Sequence, residues 1–354
     1  MNRKERRKQR QQAKRALKSD PTTAGLLQKA RASLEGGDLA NAEIEFRAVT
    51  ERDNHNAEAF HMLALIAYQQ GRIQDAGEMI LEAITRNDDD PALHANCGAI
   101  MNLLGRPMEA EAASRHALEM KPDYAESHNN LAVALEVQGR LDEALESGLK
   151  AIELNPEYLE AHINLGNLKL RRGEVSEAMD SYQAAIRIAP DNAMALTNLG
   201  TALRQSGDLE AAEESCRQAI GLNPQYAEAH HSLGNVFKAK EDWEAAKGAF
   251  RDALRCRRGY LDAHLNLAGV MFKAGDVVGG EAEYRKILES NDGLPEAQAG
   301  LGVLLLAAGR LEESVENFKL AVEAKPGLGI AQYNLATAAG ADISDADATD
   351  LREV

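Results

Sequence analysis

Aromatic residues are scarce, 4% of 354 positions with a single tryptophan, Trp243. So few large rings do not suit the core of a β-sandwich; they suit the Ala and Leu layers of stacked helices. Proline is thin as well, nine residues in all, which leaves long stretches where nothing interrupts a helix. The three cysteines, Cys97, Cys216 and Cys256, are too few and too scattered for a disulfide framework or a thiolate zinc site. They fit a reducing compartment, and the cytoplasm is the expected location. No apolar run nears the roughly 18 residues of a membrane span; the longest clean one runs from Val303 to Ala308. The basic N-terminus has no apolar segment behind it, so it does not read as a secretory signal. What is present, 44% hydrophobic and 27% charged residues, is the composition of a folded soluble chain. The class predicted is all-α.

Charge is spread unevenly. Residues 1–18 hold nine Lys or Arg against the single acid Glu5 and contribute +8, so the other 336 residues carry −24 of the net −16. A basic arm is joined to an acidic body. The arm lacks aromatics for base stacking and has only Leu17 as a sizeable apolar side chain. Neither a nucleic-acid partner nor a membrane-inserting face is therefore expected of it. Such arms are mostly solvated and disordered, and that is expected here; an acidic partner, or folding back onto the acidic body or a neighbour's, is the alternative.

The dominant signal is periodic. Glycines stand at Gly37, Gly71, Gly105, Gly139, Gly173 and Gly207, each 34 residues after the last; Glu241 breaks the series, and Gly275 and Gly309 resume it in phase. Five residues after each comes a small side chain, from Ala42 and Ala76 to Gly280 and Ser314. Seven before each comes another, from Ala30 and Ala64 to Ala268 and Gly302. Pro122, Pro156, Pro190, Pro224 and Pro326 share the phase. A chain reversal between two helical patterns favours positive φ, hence glycine. Flanking small residues let antiparallel helices approach, and proline ends the second helix. Each unit therefore reads helix, tight turn, helix, turn.

A 34-residue unit of the form A-H-x-N-L-G…G-x-x-x-x-A…Y…A-I…P, best kept from Tyr158 to Pro190, resembles the tetratricopeptide repeat. The resemblance covers about nine-tenths of the chain. It thins at Lys29, where Leu is usual, and between Glu241 and Arg258, where both the glycine and the proline are missing. It implies a right-handed α-solenoid in three parts. These are a basic arm over 1–22, nine full repeats and a final helix over 23–340, and an acidic tail over 341–354. Tyr333 and Leu335 are expected to pack inward from that last helix.

In such repeats the first helix lines the concave face. Two residues before its small position stand Asn96, Asn130, Asn164, Asn198, Ser232, Asn266, Gly300 and Asn334. Four residues earlier, on the same helical face, come Glu126, Glu160, Glu228, Asp262 and Glu296. Asn inside a helix costs about 0.6 kcal/mol against Ala, so six cost roughly 3–4 kcal/mol. A carboxamide carries donors and an acceptor, so a row of them can hold an extended peptide by its backbone. The acids would favour basic or hydroxyl-bearing side chains. This array resembles the superhelical repeat domain of O-linked N-acetylglucosamine transferases, whose corresponding asparagines and acids line a peptide-binding lumen. By that resemblance Asn96, Asn130, Asn164, Asn198 and Asn266 would grip a peptide backbone, best from Asn96 to Asn198 because Ser232 and Gly300 interrupt the row; Asn167 and Asn235 are further candidate peptide-binding residues. Two bland readings compete: duplication alone repeats an Asn, and an acid in a first helical turn already stabilises the helix dipole.

A second mode of the family, a clamp for acidic tails, needs lysines and an arginine beside Asn167 with Asn198, or Asn235 with Asn266. The positions that should supply them hold Ile163, Glu228 and Ser232, or His231, Glu296 and Gly300, so the clamp is rejected. His94, His128, His162, His230 and His264 recur at one repeat position, about 10 Å apart on successive helices, too far to share an ion; they read as packing residues, and no metal is expected. The cysteines stand where Leu, Ala or an aromatic is usual, and read as core or near-core thiols. No P-loop, nucleophile-elbow or HExxH motif occurs, no cofactor is implied, and the ends outside the repeats cannot hold a catalytic domain. The chain is expected to be a protein-binding scaffold and no enzyme. Self-assembly remains an alternative. So does service as the targeting module of a glycosyl- or sulfotransferase system, since the basic start and acidic finish look like parts of bacterial proteins that carry such domains.

Overall fold

In a computed structural model of the chain, residues 22–338 are described; the basic stretch 1–18 and the acidic tail 341–354 lie outside them. Two compact units divide the chain, Met1–Glu174 and Val175–Val354. The first contains α1 (Thr23–Glu35), α2 (Leu39–Arg52), α3 (Ala57–Gln69), α4 (Ile73–Ile84), α5 (Pro91–Leu103), α6 (Pro107–Met120), α7 (Ala125–Val137), α8 (Leu141–Leu154) and α9 (Leu159–Arg171). The second contains α10 (Val175–Ile188), α11 (Ala193–Ser206), α12 (Leu209–Leu222), α13 (Ala227–Ala239), α14 (Trp243–Cys256), α15 (Leu261–Lys273), α16 (Val277–Ser290), α17 (Pro295–Ala307), α18 (Leu311–Ala324) and α19 (Gly329–Ala338). Among the described residues there is no strand. Each unit is an α-solenoid of helix-turn-helix repeats.

Local chemistry sets the helix limits. Asp38, Asp208, Asp242 and Asp276 each accept a hydrogen bond from the backbone N–H three residues on, at 2.9–3.1 Å. That bond satisfies an amide left orphaned at a helix start. At the other end the in-phase glycines take φ between 67° and 90°, and the chain folds back through bonds such as Asp38 N–H to Ser33 O, 2.9 Å. Glu241, where the glycine series breaks, keeps the same reversal with φ 58°. The tertiary packing of α13 on α14 thus holds an ordinary side chain in a conformation it disfavours by about 1–2 kcal/mol. Glu241→Gly is expected to raise stability by about 0.5–1 kcal/mol, since the gain is partly offset by glycine's greater freedom when unfolded; a higher urea midpoint with unchanged slope is the readout.

Within a repeat the helices touch at the small positions. A Cβ on Gly98 would lie 2.5 Å from Ser114 Oγ, one on Gly200 2.7 Å from Cys216 Sγ, and one on Gly302 2.7 Å from the Phe318 ring. Helix backbones therefore meet where side chains are absent, and the partner's side chain fills the notch. Between repeats, α5 packs on α7, α7 on α9, α11 on α13, α15 on α17 and α17 on α19, while among the described residues no pair of second helices packs comparably. A stack whose first helices lie closer than its second helices curves toward the first. The first helices consequently line the concave side of each unit. Leu335 of α19 packs inward against the cluster of Phe318, Ala321 and Leu328.

Candidate functional site

The recurring asparagines sit half-buried on the first helices, and in the first unit each has a defined use. Asn96 on α5 donates from Nδ2 to His61 Nε2 of α3, 2.7 Å away. Asn130 on α7 donates to the Ala95 carbonyl of α5 at 2.9 Å, and Asn164 on α9 to Asn129 Oδ1 of α7 at 3.0 Å. The donor always lies 35 residues beyond its acceptor: one repeat plus one residue. Each carboxamide is therefore pinned to the preceding first helix by one N–H. Its second N–H and its oxygen accept or donate nothing further among the described residues. The ladder thus has a structural job that sequence alone does not reveal, since the acceptor is a side chain, a ring or a carbonyl in turn.

Glu126 and Glu160, one turn before Asn130 and Asn164, are exposed and have no basic partner among the described residues. Tyr124 and Tyr158 stand at the same helix starts. Burial pushes the Tyr158 hydroxyl up to about 12, with Glu160 and Glu126 adding to it, so it stays a proton donor. The first helices of the first unit thus carry half-buried carboxamides, with an exposed acid one turn before Asn130 and Asn164.

The second unit differs. Asn266 on α15 donates to His231 Nε2 at 3.0 Å, by the same 35-residue offset, but its oxygen accepts from Lys238 Nζ at 2.8 Å. Asn235 also reaches His231 Nε2, at 3.4 Å. Desolvation, and then the charge of Arg204, push the Lys238 ammonium down. Glu228 is held by Arg257, and Glu296 by Lys325 at 2.9 Å; Asp262 has no basic partner among the described residues. The acidic row expected along the whole chain is therefore broken in the second unit, because arginine and lysine from the following turns neutralise two of its members. Asn334 turns back to the Ile330 carbonyl of its own helix. Asn167 and Asn198 lie on α9 and α11 and are each hydrogen-bonded or otherwise engaged.

His61 and His231, the imidazoles that receive ladder carboxamides, are both pushed below the usual histidine value, chiefly by burial. Asp90 and Glu58 oppose the shift at His61. Asp262 opposes it at His231, where Lys238, Arg204 and Arg257 reinforce it. A neutral ring accepts from Asn at Nε2; a protonated one would present a second donor. For a histidine lowered on folding, this stability is complete above about pH 6.5 and lost as pH falls through the lower folded values. The urea midpoint should accordingly fall between pH 7 and 5, and fall less in the His61→Gln/His231→Gln variant.

The recurring histidines are not passive packing. His94, His128, His162, His230 and His264 all direct Nε2 at the carbonyl six residues upstream, at 2.9–3.0 Å, which ties the helix to the turn before it. Gln332 makes the same contact to Pro326 where histidine is absent. Cys256 is only half-buried, whereas Cys97 and Cys216 are buried, and burial pushes the latter two up to about 11 and about 12. At such values they are not nucleophiles at neutral pH. No helix among the described residues is long and apolar enough to cross a membrane.

The comparisons with known proteins agree on the architecture. The profile of the tetratricopeptide repeat matches residues 27–91, 104–158, 149–193, 163–227, 231–295 and 279–328. A TPR repeat-containing protein of Pseudomonas aeruginosa is 38% identical over 88 residues, which is 25% of this chain and 15% of that protein's length. Among solved structures, the Cut9–Hcn1 hetero-tetramer of the APC/C resembles the chain with TM-score 0.63 at 15% identity, over 83% of this chain and 59% of that one. A tetratricopeptide repeat protein from Parabacteroides merdae does so with TM-score 0.58 at 18% identity, over 70% of this chain and 98% of that one. These last two likenesses carry the fold; the match of the profile over most of the sequence carries the membership, and the chain belongs to the tetratricopeptide repeat family.

Proposed function

We propose that the protein is a scaffold whose first unit holds an extended segment of another protein along Asn96, Asn130 and Asn164. Proteins of this family generally mediate protein–protein interaction, and the chain has the repeats to do so. The observation that carries the narrower reading is the pinning of three successive carboxamides by one N–H each. Ordering a side chain at an interface costs about 0.5–1.5 kcal/mol; here the fold has already met that cost. The unpartnered acids Glu126 and Glu160 give the ligand its chemistry: basic or hydroxyl-rich rather than acidic. The second unit, with its paired acids and with Lys238 on Asn266, is the poorer half for such a ligand.

The test is an array of extended peptides of graded charge, probed with the wild-type protein and with the Asn96/Asn130/Asn164→Ala variant. Basic and hydroxyl-rich peptides should bind the former and lose binding on the latter. Equal binding of acidic peptides would remove the role of the acids, and equal binding by the variant would remove the ladder.

A further inference from the structure

One histidine of the recurring set differs from its four counterparts. At the others, the turn residue whose carbonyl receives Nε2 is Pro122, Pro156, Pro224 or Arg258. At His94 it is Asp88, and the carboxylate follows the carbonyl to the ring: Asp88 Oδ1 lies 3.1 Å from His94 Nε2. A second imidazole closes the group from the next helix, with the His116 ring of α6 4.4 Å from that of His94, edge to face. One ligand atom from each of Asp88, His94 and His116 lies within 4.8 Å of the other two.

We propose that Asp88, His94 and His116 form a binding site for a divalent transition metal of the zinc or nickel class. Two imidazoles and a carboxylate are the donor set that such ions take, with one or more positions left to water. Bonds of about 2.0–2.2 Å place the ligand atoms of a tetrahedral site roughly 3.3 Å apart. The Asp88–His94 separation already meets this, and the half-exposed His116 and exposed Asp88 have room to close the rest. His94 is buried and fixed. His116 is oriented from behind, since its Nδ1 faces Glu119 Oε2 at 3.4 Å, and a carboxylate on the far nitrogen is the usual support of a metal-bound imidazole. Binding requires His94 Nε2, or its other nitrogen, to be free of its proton, so the bond to the Asp88 carbonyl and the metal compete if both use Nε2. Occupation would clamp the α4–α5 turn to α5 and α6.

The sequence pattern hid this group because His116 lies outside the recurring position. The second imidazole comes not from the recurring position but from the second helix of the same repeat.

The test is calorimetric titration of the full chain with zinc chloride, and with cobalt chloride followed by visible absorption. Three variants accompany it: His116→Ala, Asp88→Asn and, as control, His128→Ala, which removes a recurring histidine that has no second imidazole beside it. Far-UV circular dichroism checks that each stays helical. The expected result is one site per chain whose affinity falls at least tenfold in His116→Ala and in Asp88→Asn and is unchanged in His128→Ala. Absence of binding by the wild type at submillimolar metal, or unchanged affinity in His116→Ala, would overturn the assignment.

Discussion

Phe250→Ala is expected to destabilise the protein by about 3–5 kcal/mol, as large-to-small changes of a buried aromatic do. Phe250 on α14 is wholly buried, and its ring fills the notch over Gly234 of α13, where a Cβ would lie only 2.6 Å from it. Both walls of the resulting cavity are helix, so it cannot collapse cheaply. The loss should also be local. A repeat array is stabilised by the sum of its repeats and their neighbour interfaces, so the damaged repeat should open first. The single tryptophan, Trp243, begins the same helix. Its emission should therefore change at lower urea than the helical signal from the whole chain, while in the wild type the two should nearly coincide. The reciprocal change gives a second reading. Gly234→Ala should cost about 1–3 kcal/mol by overpacking the ring, and little or nothing when Phe250 is already Ala. Coincident, unshifted transitions in Phe250→Ala would show that the notch is not a main contact of this repeat.

That notch was legible in the sequence, because a small residue seven before each in-phase glycine states where two helices must approach. The helix boundaries were legible for the same reason: Gly, Asp and Pro act locally, and their effect repeats with the 34-residue period. What the sequence concealed acts across repeats. That Asn130 donates to a carbonyl, Asn96 to an imidazole and Asn164 to a carboxamide depends on the residue one position before the ladder in the previous repeat, which varies freely. The pairing of Glu228 with Arg257 and of Glu296 with Lys325 likewise joins acids to turn residues 29 positions on. The acidic row therefore looked uniform in sequence and is not so in space. Glu241 was read as a break in the glycine series; its backbone follows the series all the same, since one strained residue costs less than losing the packing of two helices.

The Asn96/Asn130/Asn164→Ala variant is expected to separate the two jobs of the ladder by their size. Folding should lose less than binding, about 3 kcal/mol at most. Each substitution forfeits one inter-repeat hydrogen bond of about 0.5–1.5 kcal/mol, and each returns about 0.6 kcal/mol because alanine is the better helix residue. Binding has no such return. An extended segment that takes one bond from each carboxamide loses three at once, about 1.5–4.5 kcal/mol together, which is at least a tenfold and up to roughly a thousandfold loss of affinity. Fluorescence polarisation with the best basic peptide from the array measures the one, and urea unfolding the other. Asn102→Ala supplies the contrast. Its Nδ2 bonds the Asn130 carbonyl at 2.8 Å and its oxygen is buried without a partner, so it joins repeats and has no free group to offer a ligand. Asn102→Ala should therefore leave peptide affinity unchanged. If the triple variant keeps its affinity as well, the asparagines serve the stack alone, and whatever the concave side holds is gripped through other residues. If the triple variant loses affinity and Asn102→Ala does not, the same carboxamides that fasten each helix to the last also hold the ligand. Each pinned N–H then keeps its carboxamide aimed, while the second N–H or the oxygen binds.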